Sequence, residues 1–374
     1  MISASAAMGF GLARSLWALR SVAKSDACSL ILRRRHLSST SGHLDLGKNF
    51  AFAFDIDGVL VRGSKAIEEG KQALRLLQEH KIPWILLTNG GGKTEAERVA
   101  GLSRELGIKI SEDQFIQSHT PFKRLVNTYD KVLVSGGDGD KCRHVAQTYG
   151  FKDCVTSVDL IALNPTIWPF HRFTAADMKR AQSLSDSPFD AVLVFNDPRD
   201  WGCEAQIIID ILTSQAGKFG TKNPTLDQTV PIYFSNNDLL WANEYHLPRF
   251  GQGAFRTSIE KLFLDYTGTP LESTIIGKPF LFTYEYAHSF LNEWRKSAFG
   301  YTEDVQRVYM VGDNPASDIR GGNSYGWSTL LVKTGVYQEG DHLDAKSKPR
   351  ATVANVLEAV LYAIEHEHEL SLRK

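Results

Sequence analysis

In the stretch AFAFDIDGVLV, residues 51–61, two carboxylates stand one residue apart at the end of an apolar run. Asp55 and Asp57 follow Phe52, Ala53 and Phe54, which read as a fully buried strand. A lone buried carboxylate is costly, and two together cost more, because like charges resist ionising side by side. Two arrangements justify such a pair: a cation between them, or a division of work between a nucleophile and an acid.

Three further segments carry residues that fit the same chemistry. LLTNGG ends a strand in Thr88, whose hydroxyl can donate to a phosphoryl oxygen, with free backbone N–H groups following at Asn89. IIGKPF places Lys278 after a strand and a glycine, with Pro279 fixing the turn behind it. MVGDNPASDIRGG ends a strand in Asp313 and brings Asp318 five residues later, at a helix start. Gly58 lets the chain leave the first strand in a tight turn.

Three rival motifs fail on spacing. NGGGKT, residues 89–94, lacks the glycine at 87 that a nucleotide-binding P-loop needs, since Leu87 stands there. GGDGDK (136–141) lacks calcium-loop spacing and reads as a flexible loop. EHEHE (365–369) does not form H-E-x-x-H and reads as a solvated face of a terminal helix.

The elements that must position these residues alternate along the chain from residue 50, as in an α/β protein with a parallel sheet. Strands are expected at 50–54, 82–88, 131–135, 190–195, 231–235, 273–277, 307–312 and 328–333, and helices at 66–80, 95–106, 204–214, 258–266 and 356–370. Polar residues end several of these strands, and the carboxyl edge of an open parallel sheet is where ligands bind.

In this order, D-x-D-G-V, T-N, G-K-P and G-D-N-x-x-x-D resemble the four motifs of the haloacid dehalogenase superfamily of phosphohydrolases. The resemblance implies a Rossmann-like parallel-sheet core with an inserted α/β cap domain. It makes Asp55 the nucleophile, through an aspartyl-phosphate, and Asp57 the acid and base. Thr88, Asn89 and Lys278 bind the transferring phosphoryl group. Mg²⁺ is the implied cofactor, held by Asp55, Asp57 through its backbone carbonyl and Asp313, with Asp318 as a further ligand or its orienter, an all-oxygen set suited to a hard cation. The acidic residue at 57, missing in the true dehalogenases of the superfamily, points to a phosphatase or phosphotransferase. The glycine run after Asn89 departs from the second Asn of many relatives.

The long interval between the second and third motifs resembles the cap insert of the type IIA group. The stretches FNDPRDWG, YFSNNDLLWANEY, RFGQGAFR and LVKTGVY are similar to a mitochondrial branch of it. The expected organisation is a leader at 1–42, a first core part at 45–128, a cap at 129–253 and a second core part at 254–374. Asp197, Arg199, Trp201 and Asp238 are candidate cap residues facing the site; local caps and turns, with a packed indole, explain them equally well. Caps of this group often pair, so a homodimer through the cap is expected.

Composition narrows the partners. The chain has 374 residues, 42 basic and 43 acidic, and a net charge of -1, which gives no basis for nucleic-acid binding. No run reaches the roughly 18 apolar residues of a membrane span. Cys28, Cys142, Cys154 and Cys203 form no C-x-x-C pair and read as reduced, mostly buried thiols. Up to His43 the only acidic residue is Asp26, against Arg14, Arg20, Lys24 and Arg33-Arg34-Arg35, followed by serines. That composition fits a mitochondrial import leader. The expected function is a Mg²⁺-dependent phosphatase of a small phosphomonoester in the mitochondrial matrix. The alternatives are a catalytically silent binding or assembly protein of the same fold, or a phosphatase of a lipid-linked phosphate.

Overall fold

The structure is a computed structural model that describes residues 46–63, 65–241 and 249–372. The expected leader at 1–42, Cys28 and much of the WANEY stretch lie outside the described residues.

Strand β1 (Phe50–Phe54) shows why the core forms. Its side chains alternate between faces with period two. Phe50, Phe52 and Phe54 enter one apolar cluster with Leu74, Leu77 and Val360. Ala51 and Ala53 enter another, with Tyr284 and Leu291. Large rings fill one side, and the alanines leave room for a helix to press close on the other. A short hairpin, β2 (Val61–Arg62) and β3 (Lys65–Ala66), follows the strand. Then come helix α1 (Glu68–Glu79), strand β4 (Trp84–Leu87), helix α2 (Glu95–Leu106) and strand β5 (Phe115–Ile116). Helix α2 starts on a capping box in which Thr94 and Glu97 satisfy each other's backbone N–H groups.

The inserted unit runs through β6 (Lys131–Ser135), α3 (Lys141–Tyr149), β7 (Asp153–Val155), α4 (Ser157–Leu163) and α5 (Ala175–Met178). It continues with β8 (Ala191–Val194), α6 (Trp201–Leu212), β9 (Ile232–Phe234), the hairpin β10 (Leu240–Trp241) and β11 (Arg249–Phe250), α7 (Gln252–Thr267) and β12 (Ser273–Ile275). The chain then returns through α8 (Leu281–Phe299), β13 (Arg307–Gly312), α9 (Arg320–Tyr325), β14 (Ser328–Val332), β15 (Ala351–Val353) and α10 (Val356–Leu372).

Two parallel sheets result. The core sheet has the order β15-β14-β13-β1-β4-β5 and the cap sheet the order β12-β9-β8-β6-β7. The expected boundary at 253 is therefore corrected: the cap unit runs on to β12. Helix α7 buries Phe255, Ile259 and Phe263 with Ile208 and Ile211 of α6, and β12 pairs with β9 through Ser273↔Ile232 and Ile275↔Phe234.

Three other expectations change. The long helix α8 was not expected, although Tyr284, Ala287 and Leu291 recur at helical spacing on its buried face. Glu367 does not belong to a solvated face; it is buried, accepts from Tyr309 Oη at 2.7 Å and pairs with Arg307. The GGDGDK segment walls a cavity of the cap. Among the described residues Cys142, Cys154 and Cys203 are free and buried, as expected, and no helix is long and apolar enough to cross a membrane.

The boundary can be checked by hydrogen exchange. Phe263→Ala removes a fully buried ring and is expected to cost about 3–5 kcal/mol. Exchange should quicken in β6, β8 and β9 while β1 and β13 stay protected. Loss of protection in β1 and β13 instead would return α7 to the core.

Candidate active site

Strand register sets the site. Phe54 lies opposite Val311 on one side and Leu86 on the other. Asp55 is one residue past that level, Asp313 and Thr88 two, so all three emerge together at the carboxyl edge of the core sheet. Asp318 reaches them from a π-helical turn, Pro315–Ile319. Asp55, Asp313 and Asp318 each place a carboxylate oxygen within 4.8 Å of the others.

Lys278 comes from the other sheet, three residues beyond the end of β12. Its Nζ lies 2.6 Å from Asp55 Oδ1 and 2.7 Å from Asp318 Oδ1, and its side chain is only 2% exposed. Burial works against its charge, but Asp318 and Asp55 outweigh that and hold its pKa above the ordinary value. Burial pushes the Asp55 carboxyl well up, helped by Asp318 and Asp313 and opposed by Lys278. Asp313 is pushed up to about 7 by burial and by Asp318. One ammonium cannot balance three buried carboxylates, and the donors are all hard oxygens, so the cluster suits a divalent cation such as Mg²⁺.

The backbone is shaped around these carboxylates. Val336 N–H donates to Asp313 Oδ2 at 2.6 Å, and a Cβ on Gly335 would stand 1.9 Å from that oxygen. Gly58, at φ +82°, would carry a Cβ 2.5 Å from it. Asn314 N–H donates to Asp318 Oδ2 at 3.1 Å. Asp57 opens to solvent. Neighbouring protein atoms still crowd it enough to raise its pKa, against the pull of Arg98 and Lys278.

Thr88 Oγ1 accepts from Gly90 N–H at 3.0 Å, which leaves the hydroxyl proton to donate elsewhere. The Asn89 side chain is spent on structure: Oδ1 accepts from Lys278 N–H at 2.7 Å, and Nδ2 donates to Lys278 O at 2.9 Å. Nδ2 also reaches Asp238 Oδ1 at 3.2 Å. At Asn89 the backbone amides are thus the groups left for a phosphate. Of the cap candidates, Asp238 meets a core motif. Arg199 turns to Asp138, and Trp201 donates to Pro198 O and packs on Phe255, the local explanation. The backbone of Asp197 serves the turn, its carbonyl accepting from Gly137 N–H at 3.1 Å.

Sequence reasoning missed what holds the glycine run after Asn89. Gly92 N–H donates to His119 Nε2 at 3.0 Å, so Nδ1 carries the ring proton and donates to Tyr149 Oη, 2.7 Å away. Tyr149 Oη donates to Glu95 Oε1 at 2.6 Å. Glu95 stays ionised despite burial because Lys123 and Tyr149 face it. The available signal was negative: three glycines have no side chains to fix their own shape. The clamp from Val336 left no signal in LVKTGVY.

This fold and cluster define a two-unit α/β hydrolase with an acid-rich centre. The family model described as haloacid dehalogenase-like hydrolase matches residues 52–152, and a HAD-hydrolase-like model matches 275–359. The chain is 45% identical over 341 residues to the mitochondrial hydrolase YKR070W of Saccharomyces cerevisiae, covering 85% of this chain and 96% of that protein. It is 44% identical over 316 residues to a cardiolipin synthase (CMP-forming) / mitochondrial hydrolase fusion protein of Schizosaccharomyces pombe, covering 84% of this chain and 53% of that one. The chain thus spans about half the fusion protein's length. The p-nitrophenyl phosphatase of Archaeoglobus fulgidus shares the fold, with a TM-score of 0.57 and 18% identity over 83% of this chain and 97% of that one. The protein belongs to the haloacid dehalogenase-like hydrolases.

The His119 relay predicts an acid limit. Burial lowers its pKa to about 4, while the unfolded imidazole titrates near ~6.5. Between those values the unfolded chain binds the extra proton. Stability from this group is therefore full above about 6.5 and falls as pH drops toward 4, by on the order of 3 kcal/mol. Melting profiles should show that slope in the native chain and a shallower one in His119→Asn; identical slopes would remove the relay.

Proposed function

We propose that the protein is a Mg²⁺-dependent phosphatase of small phosphomonoesters in the mitochondrial matrix, working through an aspartyl-phosphate. The observation that carries this reading is the contact of Lys278 with both Asp55 and Asp318, beside Asp313 and with Asp57 left open to solvent. A silent relative of the fold has no use for this costly concentration of buried charge. The names of the two yeast relatives support the compartment.

In the first step an Asp55 oxygen attacks phosphorus, the bond to the leaving oxygen breaks, and Asp57 gives that oxygen its proton. The raised pKa of Asp57 favours the protonated form this step needs. In the second step Asp57 takes a proton from water as its oxygen attacks phosphorus. The bond to Asp55 breaks, and inorganic phosphate leaves. Lys278, the Thr88 hydroxyl and the backbone N–H groups of Asn89 and Gly91, the two in this loop that Thr88 Oγ1 and His119 do not take, hold the phosphoryl oxygens throughout. Bound by Asp55, Asp313, Asp318 and the Asp57 carbonyl, Mg²⁺ supplies the positive charge that lets an anionic ester approach this cluster.

A second reading, in which the ester is a lipid-linked phosphate, is favoured by the fusion of a similar hydrolase to a cardiolipin synthase. Phosphate release from sugar phosphates, nucleotides, pyridoxal phosphate and a phosphatidylglycerophosphate separates the two. Turnover of one class should fall at least ~10³-fold in Asp55→Asn without loss of fold, and should stop reversibly on chelation. Activity retained in the variant would remove the aspartyl-phosphate. Activity indifferent to chelation would remove the metal. Silence across the panel in a folded chain would favour a binding role.

A further inference from the structure

The cap sheet reverses its direction of winding between β6 and β8. From β6 the chain steps to β7 on one side, then crosses back to β8 on the other. Ligands of open parallel sheets bind outside the carboxyl ends of the strands at such a reversal. A cavity of about 650 Å³ opens there, bounded by Gly136–Gly139 after β6, Thr156 after β7 and Arg199–Trp201 after β8. That volume lies within the range of small-molecule sites.

The cavity is not the catalytic centre. Every residue lining it falls between Val134 and Glu204, and none comes from the motifs around Asp55. Strand β6 stands two positions from β9, whose loop reaches Asn89. At the usual strand spacing that separates the two places by roughly 10 Å along the sheet.

Its walls are built for a ligand. Arg143, 1% exposed, is held by Asp159 at 2.9 Å and Asp140 at 2.8 Å, yet its Nε has no partner. Buried polar atoms are seldom left in this state. Glu204 Oε1 accepts from Ser157 Oγ at 2.6 Å, and Ser135 Oγ faces the same carboxylate, whose pKa burial nonetheless raises. At the mouth, Arg199 is neutralised by Asp138 and Arg180 by Asp177, whereas Arg172 is exposed with no carboxylate in ion-pair reach among the described residues. Trp168, Phe170, Phe173 and Trp201 supply aromatic walls. Phe170, 73% exposed, stands edge-on to Trp168 with ring centroids 5.5 Å apart. The turn at Gly136 is closed to side chains, since a Cβ there would stand 1.9 Å from Asn196 O.

We propose that this cavity binds a nucleoside monophosphate. Its base lies against the aromatic walls and gives an N–H to Glu204, and its phosphate meets Arg172 and the Gly136–Gly139 turn. Each part of that ligand answers one feature: a flat ring for the indoles, a donor for the buried Glu204 carboxylate, an anion for the Arg172 guanidinium. The glycines let a phosphate approach the backbone closely.

The test is calorimetric titration of the full chain carrying Asp55→Asn, so that no probe is consumed. AMP and CMP are the probes, with adenosine and inorganic phosphate titrated separately. At least one nucleotide should bind saturably and at least tenfold more tightly than either fragment. Arg172→Ala and, separately, Trp168→Leu should each weaken it at least tenfold, and EDTA should not release it. Three results would overturn the inference: no saturable nucleotide binding by a chain folded by circular dichroism, affinity unchanged in Arg172→Ala, or release by EDTA, which would put the nucleotide at the acid-rich centre of the core. Because the nucleophile is absent, failure here is separate from failure of the phosphatase reading.

Discussion

Three buried carboxylates around one ammonium form the constraint on which the rest of the structure depends. Asp55, Asp313 and Asp318 sit at the edge of a sheet whose strand β1 is entirely apolar, and the one cation in contact with the cluster among the described residues, Lys278, touches Asp55 and Asp318. Charges this deep are tolerated only when paired and hydrogen-bonded. The surroundings show how the arrangement is held. The amides of Val336 and Asn314 point at Asp313 and Asp318, and Gly58 and Gly335 stand where any side chain would collide with Asp313. In the proposed function, the negative excess that remains is what would draw a divalent cation and, through it, an anionic ester.

The same pairing ties the two units together. Lys278 is delivered by the last strand of the cap sheet, yet its ammonium is spent on core carboxylates. Asn89, at the end of a core strand, grips the Lys278 backbone through both atoms of its amide. A cap tyrosine, Tyr149, orients the imidazole that receives Gly92 N–H. The loop after Thr88, the ammonium and the carboxylates are therefore held in one place by contacts between cap and core.

Much of this was legible in the sequence because the catalytic edge is built from local patterns. Phe and Ala alternate in β1, and DxD, TN, GKP and GDN each end a strand, so the order of motifs along the chain reports their meeting in space. What was hidden depends on partners. STIIG reads as a buried strand in any sheet, and only the apolar face of α7 decides that it joins the cap. Glu367 looks solvated beside its histidines, yet Arg307 and Tyr309 recruit it inward. The reading drew only on the backbone N–H groups at Asn89, and the clamp its side chain makes on Lys278 stayed hidden until Lys278 lay opposite. Residues 136–141 looked like a loose turn because nothing local shows that Gly136–Gly139 line one cavity with Trp168 and Trp201.

Thermal melting against Mg²⁺ concentration tests the charge balance most directly. A cation bound only by the folded cluster stabilises it by about 2.7 kcal/mol at a hundredfold excess over its dissociation constant. The account predicts a melting midpoint that climbs with Mg²⁺ in the native chain and scarcely moves in Asp313→Asn, where the negative excess is smaller and one ligand is weakened. An equal climb in both, or none in the native chain, would contradict it.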